Sequence, residues 1–331
     1  MKRISGSKTS IFTKLAKIPA FFVNQFKKTK HKALYLLLLP SLCYLIIFCY
    51  WPLYGIQIAF KDYSSFLGIE SSPWTDYNGF GHFIRFVTAP DFFMLIKNTL
   101  SISIVSIIVN TPLPIIFALL LNELKNKYFK QTVQTISYAP YFVSVIVVAG
   151  MCFSFLSVGT GSMGDGLLVR FFKSMGIDPG YLMSNENAFL PIYIISGLWQ
   201  GLGWWSIIYV GALSTVDPAL HEAAMIDGAG RMRRIWIINI PAIMPIAIIM
   251  LLLSIGQVMN VGFEKVYLLQ TAGNLGKSET ISTYVYRITL LSNLPQYSYS
   301  TAVGLFNTVV NVILLFGANK ISSKLGQETL W

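Results

Sequence analysis

The sequence predicts an all-α polytopic membrane protein with six transmembrane helices. Of its 331 residues, 54% are hydrophobic and only 12% are charged, which is more apolar surface than one soluble core can hide. The mean hydropathy is +0.60. A spanning helix needs roughly 20 mostly apolar residues, because its backbone polar groups must be satisfied inside the hydrocarbon. Six segments meet this requirement: 34–60, 96–122, 131–158, 190–213, 241–261 and 300–318.

The charges of the loops predict that both termini lie in the cytoplasm. With the N-terminus inside, 17 of the 25 Lys and Arg residues fall in inner segments and 8 in outer ones, and such an excess is typical of cytoplasmic loops. The net charge of +11 therefore reflects topology and does not indicate nucleic-acid binding. The first span is too long for a cleaved signal peptide, so we expect it to remain as an anchor.

The tail before the first span is strongly basic. Residues 1–33 hold nine Lys or Arg residues and no acid. Apolar residues recur there at near-helical spacing, but Pro19 interrupts the pattern. An interrupted amphipathic helix and a disordered tail both remain open, and either would be attracted to membrane lipid.

The sequence offers no recognisable metal or disulfide framework. Cys43, Cys49 and Cys152 all lie in predicted spans, so their simplest role is packing. The three histidines are scattered over different compartments and have no metal-ligand spacing. We therefore predict neither catalytic residues nor a metal site.

The loop between the fourth and fifth spans is the most informative segment of the chain. Asp217 followed by Pro218 predicts the start of a short helix, because aspartate is a good N-cap and proline suits the first helical position. Asp227 and Gly228 predict its end, since glycine adopts the left-handed conformation of a helix stop. Ala223 and Ala224 are small enough for another protein to approach closely, and Glu222 offers a carboxylate to a basic partner. An ordinary amphipathic surface loop is the alternative.

These residues resemble a known motif: Glu222-Ala223-Ala224, Gly228, Ile238 and Ile240-Pro241. It is the loop of the integral membrane subunits of binding-protein-dependent ABC importers, in which Leu stands where this chain has Ile240. The resemblance covers about residues 97–315, the type I permease core, preceded here by one extra span. Residues 50–56 and 279–287 resemble the carbohydrate-importing branch, which handles oligosaccharides and polysaccharide fragments.

The resemblance implies a division of labour between several proteins. The loop 217–241 would be the coupling loop that docks on a cytoplasmic ABC ATPase dimer, which uses ATP and Mg, while this chain binds no cofactor. A second homologous permease subunit, with a second copy of this chain as the alternative, and an extracellular solute-binding protein would complete the importer in a bacterial cell membrane. The residues that the resemblance assigns to ATPase coupling are Glu222, Ala223, Ala224, Met225, Asp227, Gly228, Ile238 and Pro241.

One motif imitates a phosphate-binding loop. Residues 271–278 end in Gly-Lys-Ser, but the first position is Thr271, no strand is predicted before it, and it falls on the predicted outer face. The predicted spans also contain no Asp or Glu, so they offer no carboxylate that could relay protons across the membrane. This chain is therefore not expected to be an enzyme, and a separate ATPase would supply the energy.

Neutral polar and aromatic residues within the spans are candidates for a carbohydrate path. Amides hydrogen-bond sugar hydroxyls, and aromatic faces cover the apolar faces of pyranose rings. The alternative for each residue is helix-to-helix packing. The candidates are Asn110, Trp199, Gln200, Trp204, Gln257 and Asn260.

Four regions follow from this reading: a basic tail (1–33), the first span with its outer loop (34–96), a five-helix core containing the coupling loop (97–318), and a cytoplasmic tail (319–331). Two functions of other classes remain open. An ATP-independent carrier or channel would transport its solute without partners. A membrane enzyme acting on lipid-linked sugars would need an acid, base or metal site, and no such constellation is apparent.

Overall fold

A computed structural model describes residues 32–159 and 164–331. The chain divides into two units, Met1–Ile58 and Ala59–Trp331. The predicted basic tail lies almost wholly outside the described residues. Throughout the described part the regular structure is helical, apart from an isolated bridge between Lys61 and Trp74.

Helix α1, Tyr35–Phe60, corresponds to the first predicted span. Within it a π-helix occupies Leu45–Tyr50, and the N–H of Trp51 donates to the carbonyl of Ile46. The residue that follows, Pro52, has no N–H and cannot serve a carbonyl one turn back. The wider i+5 bonding next to it is the expected local response.

The rest of the chain forms eleven further helices of at least seven residues in the described part. They are α2 Gly81–Val87, α3 Phe92–Asn122, α4 Lys127–Phe142, α5 Val145–Leu156, α6 Leu167–Ser174, α7 Glu186–Leu213, α8 Pro218–Ile226, α9 Arg231–Ile255, α10 Phe263–Leu269, α11 Ile281–Leu290 and α12 Tyr297–Lys324. Single turns lie at Gly68–Ser71, Tyr77–Gly79, Leu182–Ser184 and Leu275–Ser278.

Four of the described helices are long and apolar enough to cross a membrane: α1, α3, α9 and α12. They correspond to the first, second, fifth and sixth predicted spans. The third predicted span is not one straight helix, because α4 and α5 meet at an angle of 95°. The fourth, α7, has 28 residues, but its many Gly, Trp and Tyr residues make it less apolar than the others.

The bend between α4 and α5 is built from local signals. Pro140 lies in the last turn of α4, and the Oγ of Ser144 caps α5 by accepting from the N–H of Val147 at 3.4 Å. The Nε2 of Gln200 on α7 donates to the carbonyl of Val143 at 2.8 Å, which satisfies a backbone group that the break exposes. One predicted continuous helix is therefore two helices at a fixed corner.

Three hydrophobic clusters hold the second unit together. One joins α3, α5, α7 and α10 around Phe189 and Val266. Another joins α2, α3, α11 and α12 around Phe86 and Val303. The third joins α3, α7 and α9 around the aromatic side chain of Tyr209. The third cluster lies between the helices that precede and follow α8.

Asparagine side chains tie the end of α9 to α12. The N–H of Met259 donates to the Oδ1 of Asn311 at 2.9 Å, and the Nδ2 of Asn307 donates to the carbonyl of Met259 at 3.1 Å. Both asparagines are buried. These bonds satisfy the backbone where α9 has ended, so the two asparagines are structural and lie within the core.

Candidate functional site

Helix α8 begins where the sequence predicts. The Oδ1 of Asp217 accepts a hydrogen bond from the N–H of Ala219 at 2.9 Å, and Pro218 occupies the first helical position. This satisfies one of the N–H groups that a helix start leaves unpaired. The prediction of the start is confirmed.

The end of α8 is a Schellman motif. The N–H of Ala229 donates to the carbonyl of Ala224 at 2.8 Å, and the N–H of Gly228 donates to the carbonyl of Met225 at 3.1 Å. Gly228 has φ +76°, in the left-handed region. The predicted stop is confirmed, and the motif fixes the direction in which the chain leaves α8.

Helix α8 is exposed and carries several apolar side chains. No residue of the helix is buried. Ile226 is 87% exposed, and Leu220 and Met225 are also exposed. Glu222 and Ala223 are exposed, while Ala224 is half-buried. These exposed apolar side chains are distributed around the short helix and are accessible to a partner protein.

Helix α9 follows Gly230 and begins with the basic turn Arg231–Arg234. Its next turn is a π-helix, Ile235–Asn239, in which the N–H of Ile240 donates to the carbonyl of Ile235. As in α1, one residue separates the π-helical turn from a proline, here Pro241. Ile238 is half-buried and Pro241 exposed.

Asn239 was not a sequence candidate. It is completely buried, and neither its Nδ2 nor its Oδ1 has a hydrogen-bond partner among the described residues. A buried, unsatisfied amide is costly. The sequence carries a weak signal for it, a lone asparagine within an isoleucine-rich turn.

A second feature is a cavity between α3, α7, α9 and α10, with polar groups set in a mainly apolar wall. Its two parts, of about 330 and 560 Å³, share Ser106, Asn110, Tyr193, Trp205 and Gly262 as lining residues. Volumes in this range suit small-molecule sites. The wall combines hydroxyl and amide groups with aromatic rings.

Some predicted carbohydrate-path residues meet at this cavity and others do not. Asn110 lines both parts, Gln257 and Asn260 line one part, and Gln200 lines the other. Trp199 lies instead in an apolar groove between α5, α6 and α7. Trp204 stacks on Tyr141, with ring centroids 4.4 Å apart. The sequence does not reveal which side of α7 faces the cavity, so it does not predict which tryptophans line the cavity and which pack elsewhere.

Sequence reasoning also missed residues that the structure brings to the cavity. Lys265 and Tyr193 line it together with Trp205. Lys265 follows Glu264 at the start of the last outer stretch, and the sequence alone predicts for it only a contribution to the charge of that loop. Its burial depends on the packing of α10 against α7.

Comparison with known proteins finds relatives along most of the chain. Residues 110–325 match the family described as binding-protein-dependent transport system inner membrane component. The polygalacturonan/rhamnogalacturonan transport system permease protein of Bacillus subtilis (strain 168) is 42% identical over 96% of this chain and 98% of its own length. Protein LplB of the same strain is 42% identical over 91% of this chain and 92% of its own length.

The fold is also found in a solved structure. One chain of a bacterial alginate ABC transporter, crystallised in complex with an alginate pentasaccharide-bound periplasmic protein, superposes with a TM-score of 0.81 at 35% identity. The match covers 93% of this chain and 99% of that chain.

Proposed function

This chain belongs to the family of inner membrane components of binding-protein-dependent transport systems, and on that premise we propose that it translocates an oligosaccharide across the bacterial cytoplasmic membrane. It acts as the permease subunit of an ABC importer. An extracellular binding protein delivers the saccharide, and a cytoplasmic ATPase dimer supplies the energy from ATP and Mg. A second, homologous permease subunit completes the pore.

The names of the relatives support a saccharide as the cargo. One relative is named for polygalacturonan and rhamnogalacturonan transport, and the similar solved structure is an alginate importer. The cavity between α3, α7, α9 and α10 offers hydroxyl, amide and aromatic groups, which suit a hydroxylated chain.

The observation that carries the ATP-driven mechanism is the exposed helix α8 between two helices that share a core. The Schellman motif joins α8 to α9 through one left-handed residue. Helix α9 packs on α3 and α7 through the cluster around Tyr209. A displacement of α8 on its partner is therefore passed to the packed helices. Glu222, Ala223, Ala224 and Met225 dock on the ATPase, and Gly228 sets the turn.

The same proposal fixes the topology. With α8 docked on a cytoplasmic ATPase, the N-terminus lies inside and the chain crosses the membrane six times, with α7 as the fourth span and α4 and α5 together as the third. The charge excess of the inner loops supports this orientation.

The proposal is tested by adding bulk to the docking surface. In proteoliposomes containing both permeases, the ATPase and the binding protein, Ala223→Arg is expected to reduce ATP-dependent saccharide uptake and ATPase co-purification about tenfold or more, as for a residue at the centre of an interface. The matched control is Ala272→Arg, which alters another exposed alanine on the predicted outer face.

Normal uptake and normal ATPase co-purification in Ala223→Arg would contradict the docking role. Uptake by this chain alone, unaffected by removal of ATP, would replace the proposal with an ATP-independent carrier or channel. Equal losses in Ala223→Arg and Ala272→Arg would point to general instability and would also count against specific docking.

A further inference from the structure

Lys265 is a half-buried cation without a carboxylate partner. Its Nζ donates to the carbonyl of Tyr193 at 3.0 Å and lies 5.0 Å from the centroid of the same residue's ring. The ion pairs of the described residues, within 4.0 Å, do not include it. An ammonium group has three donors, so Lys265 has hydrogen-bonding capacity that the protein leaves unused.

The chain makes room for this ammonium group. A Cβ atom on Gly197 of α7 would lie 2.9 Å from the Nζ of Lys265. One turn later, a Cβ atom on Gly201 would lie 2.5 Å from the ring of Trp205. Two glycines on one face of α7 therefore leave space for a cation and an aromatic ring at the same cavity.

Lys265 is the charged residue in a neutral wall. The described residues that line the two parts of the cavity otherwise bring hydroxyl, amide, aromatic and aliphatic groups. Burial of an unpaired ammonium group is unfavourable. It lowers the pKa of Lys265 from 10.5 to about 8, so the group remains mostly protonated at neutral pH. Among the described residues that line the cavity, no ionised group balances the charge of this ammonium group.

We propose that Lys265 binds a carboxylate of an acidic saccharide in this cavity, so that the cargo is a uronic-acid oligosaccharide. The inference rests on the proposed function and narrows its substrate class. One ammonium group balances the single negative charge of a carboxylate. At this one position a phosphate monoester would carry about −1.5 to −2 at pH 7, which is more than a single ammonium group balances. The unused donors of Nζ form charge-assisted hydrogen bonds to the carboxylate oxygens.

Two trisaccharides that differ only in charge test this assignment: α-1,4-linked trigalacturonate and the galactose trisaccharide made by reducing its carboxyl groups. Uptake of each is measured in proteoliposomes containing the complete complex with its binding protein. Because that protein is the same in every sample, differences between variants arise in this chain.

Lys265→Met removes the charge and keeps the length of the side chain. It is expected to lower trigalacturonate uptake about tenfold or more, the loss of a hydrogen bond to a charged group, and to leave uptake of the neutral trisaccharide within about twofold. Lys265→Arg keeps the charge and should retain most trigalacturonate uptake. The matched control, Lys277→Met, alters an exposed lysine that donates to Asn187 and should change neither rate.

Three outcomes would overturn the assignment. Equal losses for both trisaccharides in Lys265→Met would mean that the lysine only holds α10 against α7. Unchanged trigalacturonate uptake would mean that the ammonium group does not contact the cargo. Uptake by the unaltered complex of the neutral trisaccharide alone would exclude an acidic cargo while leaving the proposed function intact. Failure to take up any saccharide that the binding protein binds would instead reject the proposed function.

Discussion

Gly228 offers the sharpest test of how α8 is joined to α9. Its φ of +76° lies in the left-handed region, where an L-residue with a Cβ atom is disfavoured by roughly 1–2 kcal/mol. A Cβ atom there would meet nothing within 4 Å, so Gly228→Ala adds backbone strain without a steric clash. A cost of this size corresponds to about a 5- to 30-fold lower population of the native turn.

The same loop contains an almost ideal control. Gly230 has φ −67° and ψ 169°, a conformation that alanine adopts readily. A Cβ atom on Gly230 also meets nothing within 4 Å. Gly230→Ala therefore adds the same methyl group two residues away without the strain.

The assay is ATP-driven saccharide uptake by the reconstituted complex, measured together with ATPase activity stimulated by the binding protein. Gly228→Ala should lower uptake per ATP hydrolysed several-fold, whereas Gly230→Ala should leave it unchanged. Gly228→Asn should lie between glycine and alanine, because asparagine tolerates the left-handed region. Equal effects of Gly228→Ala and Gly230→Ala would refute the link between this backbone conformation and coupling.

Three other predictions concern titration and buried amides. Because the pKa of Lys265 is lowered to about 8, its ammonium group is present below that pH and lost above it, so trigalacturonate uptake should fall as pH rises through about 8. Tyr193 and Cys152 are titratable groups that interact with it, and neither carries a charge at pH 7 at its ordinary pKa. Asn274→Ala should destabilise the protein by about 1–3 kcal/mol. The side chain of Asn274 is only 1% exposed, and its Nδ2 donates hydrogen bonds to the carbonyls of Met183 and Leu269. Asn239→Leu should stabilise it by about 1 kcal/mol or more, because it removes a buried amide that has no partner.

Each of these predictions has its own check. Uptake of the carboxyl-reduced trisaccharide should not follow the same pH dependence as trigalacturonate; a parallel fall would show that another group titrates. The stability of the two asparagine variants is measured as the temperature of thermal unfolding in detergent. Asn293→Ala, at an exposed position, should leave the unfolding temperature unchanged. A lower unfolding temperature in Asn239→Leu would mean that its amide has a stabilising role.

What the sequence predicts well is local. The start of α8 depends on Asp217 and Pro218, and its end depends on Gly228, so neighbouring residues carry the whole signal. The corner between α4 and α5 also had local signals in Pro140 and Ser144, but the apolar run around them favoured a single span.

The cavity depends on contacts that no local pattern encodes. Lys265 reaches the carbonyl of Tyr193 across 72 positions of sequence, and Gly197 accommodates it only because α7 presents that face to α10. Polar residues in apolar spans were sound candidates for either a path or packing. Asn307 and Asn311 proved to bond backbone groups, whereas Gln257 and Asn260 line the cavity.

The asparagine bonds at the end of α9 have a mechanical consequence. Met259 is held to α12 by hydrogen bonds from both of its backbone groups, while the opposite end of α9, at Arg231, follows the exposed helix α8. A helix of 25 residues is about 37 Å long. If the segment at Met259, just beyond α9, stays fixed, a 3 Å displacement at Arg231 would tilt α9 by only about 5°, and Ser254 and Gln257 would move least because they lie nearest to the fixed point. Because the middle of α9 also packs on α3 and α7 through Ile243 and Ala247, such a tilt would carry those helices with it, while the cavity wall near Met259 would stay in place.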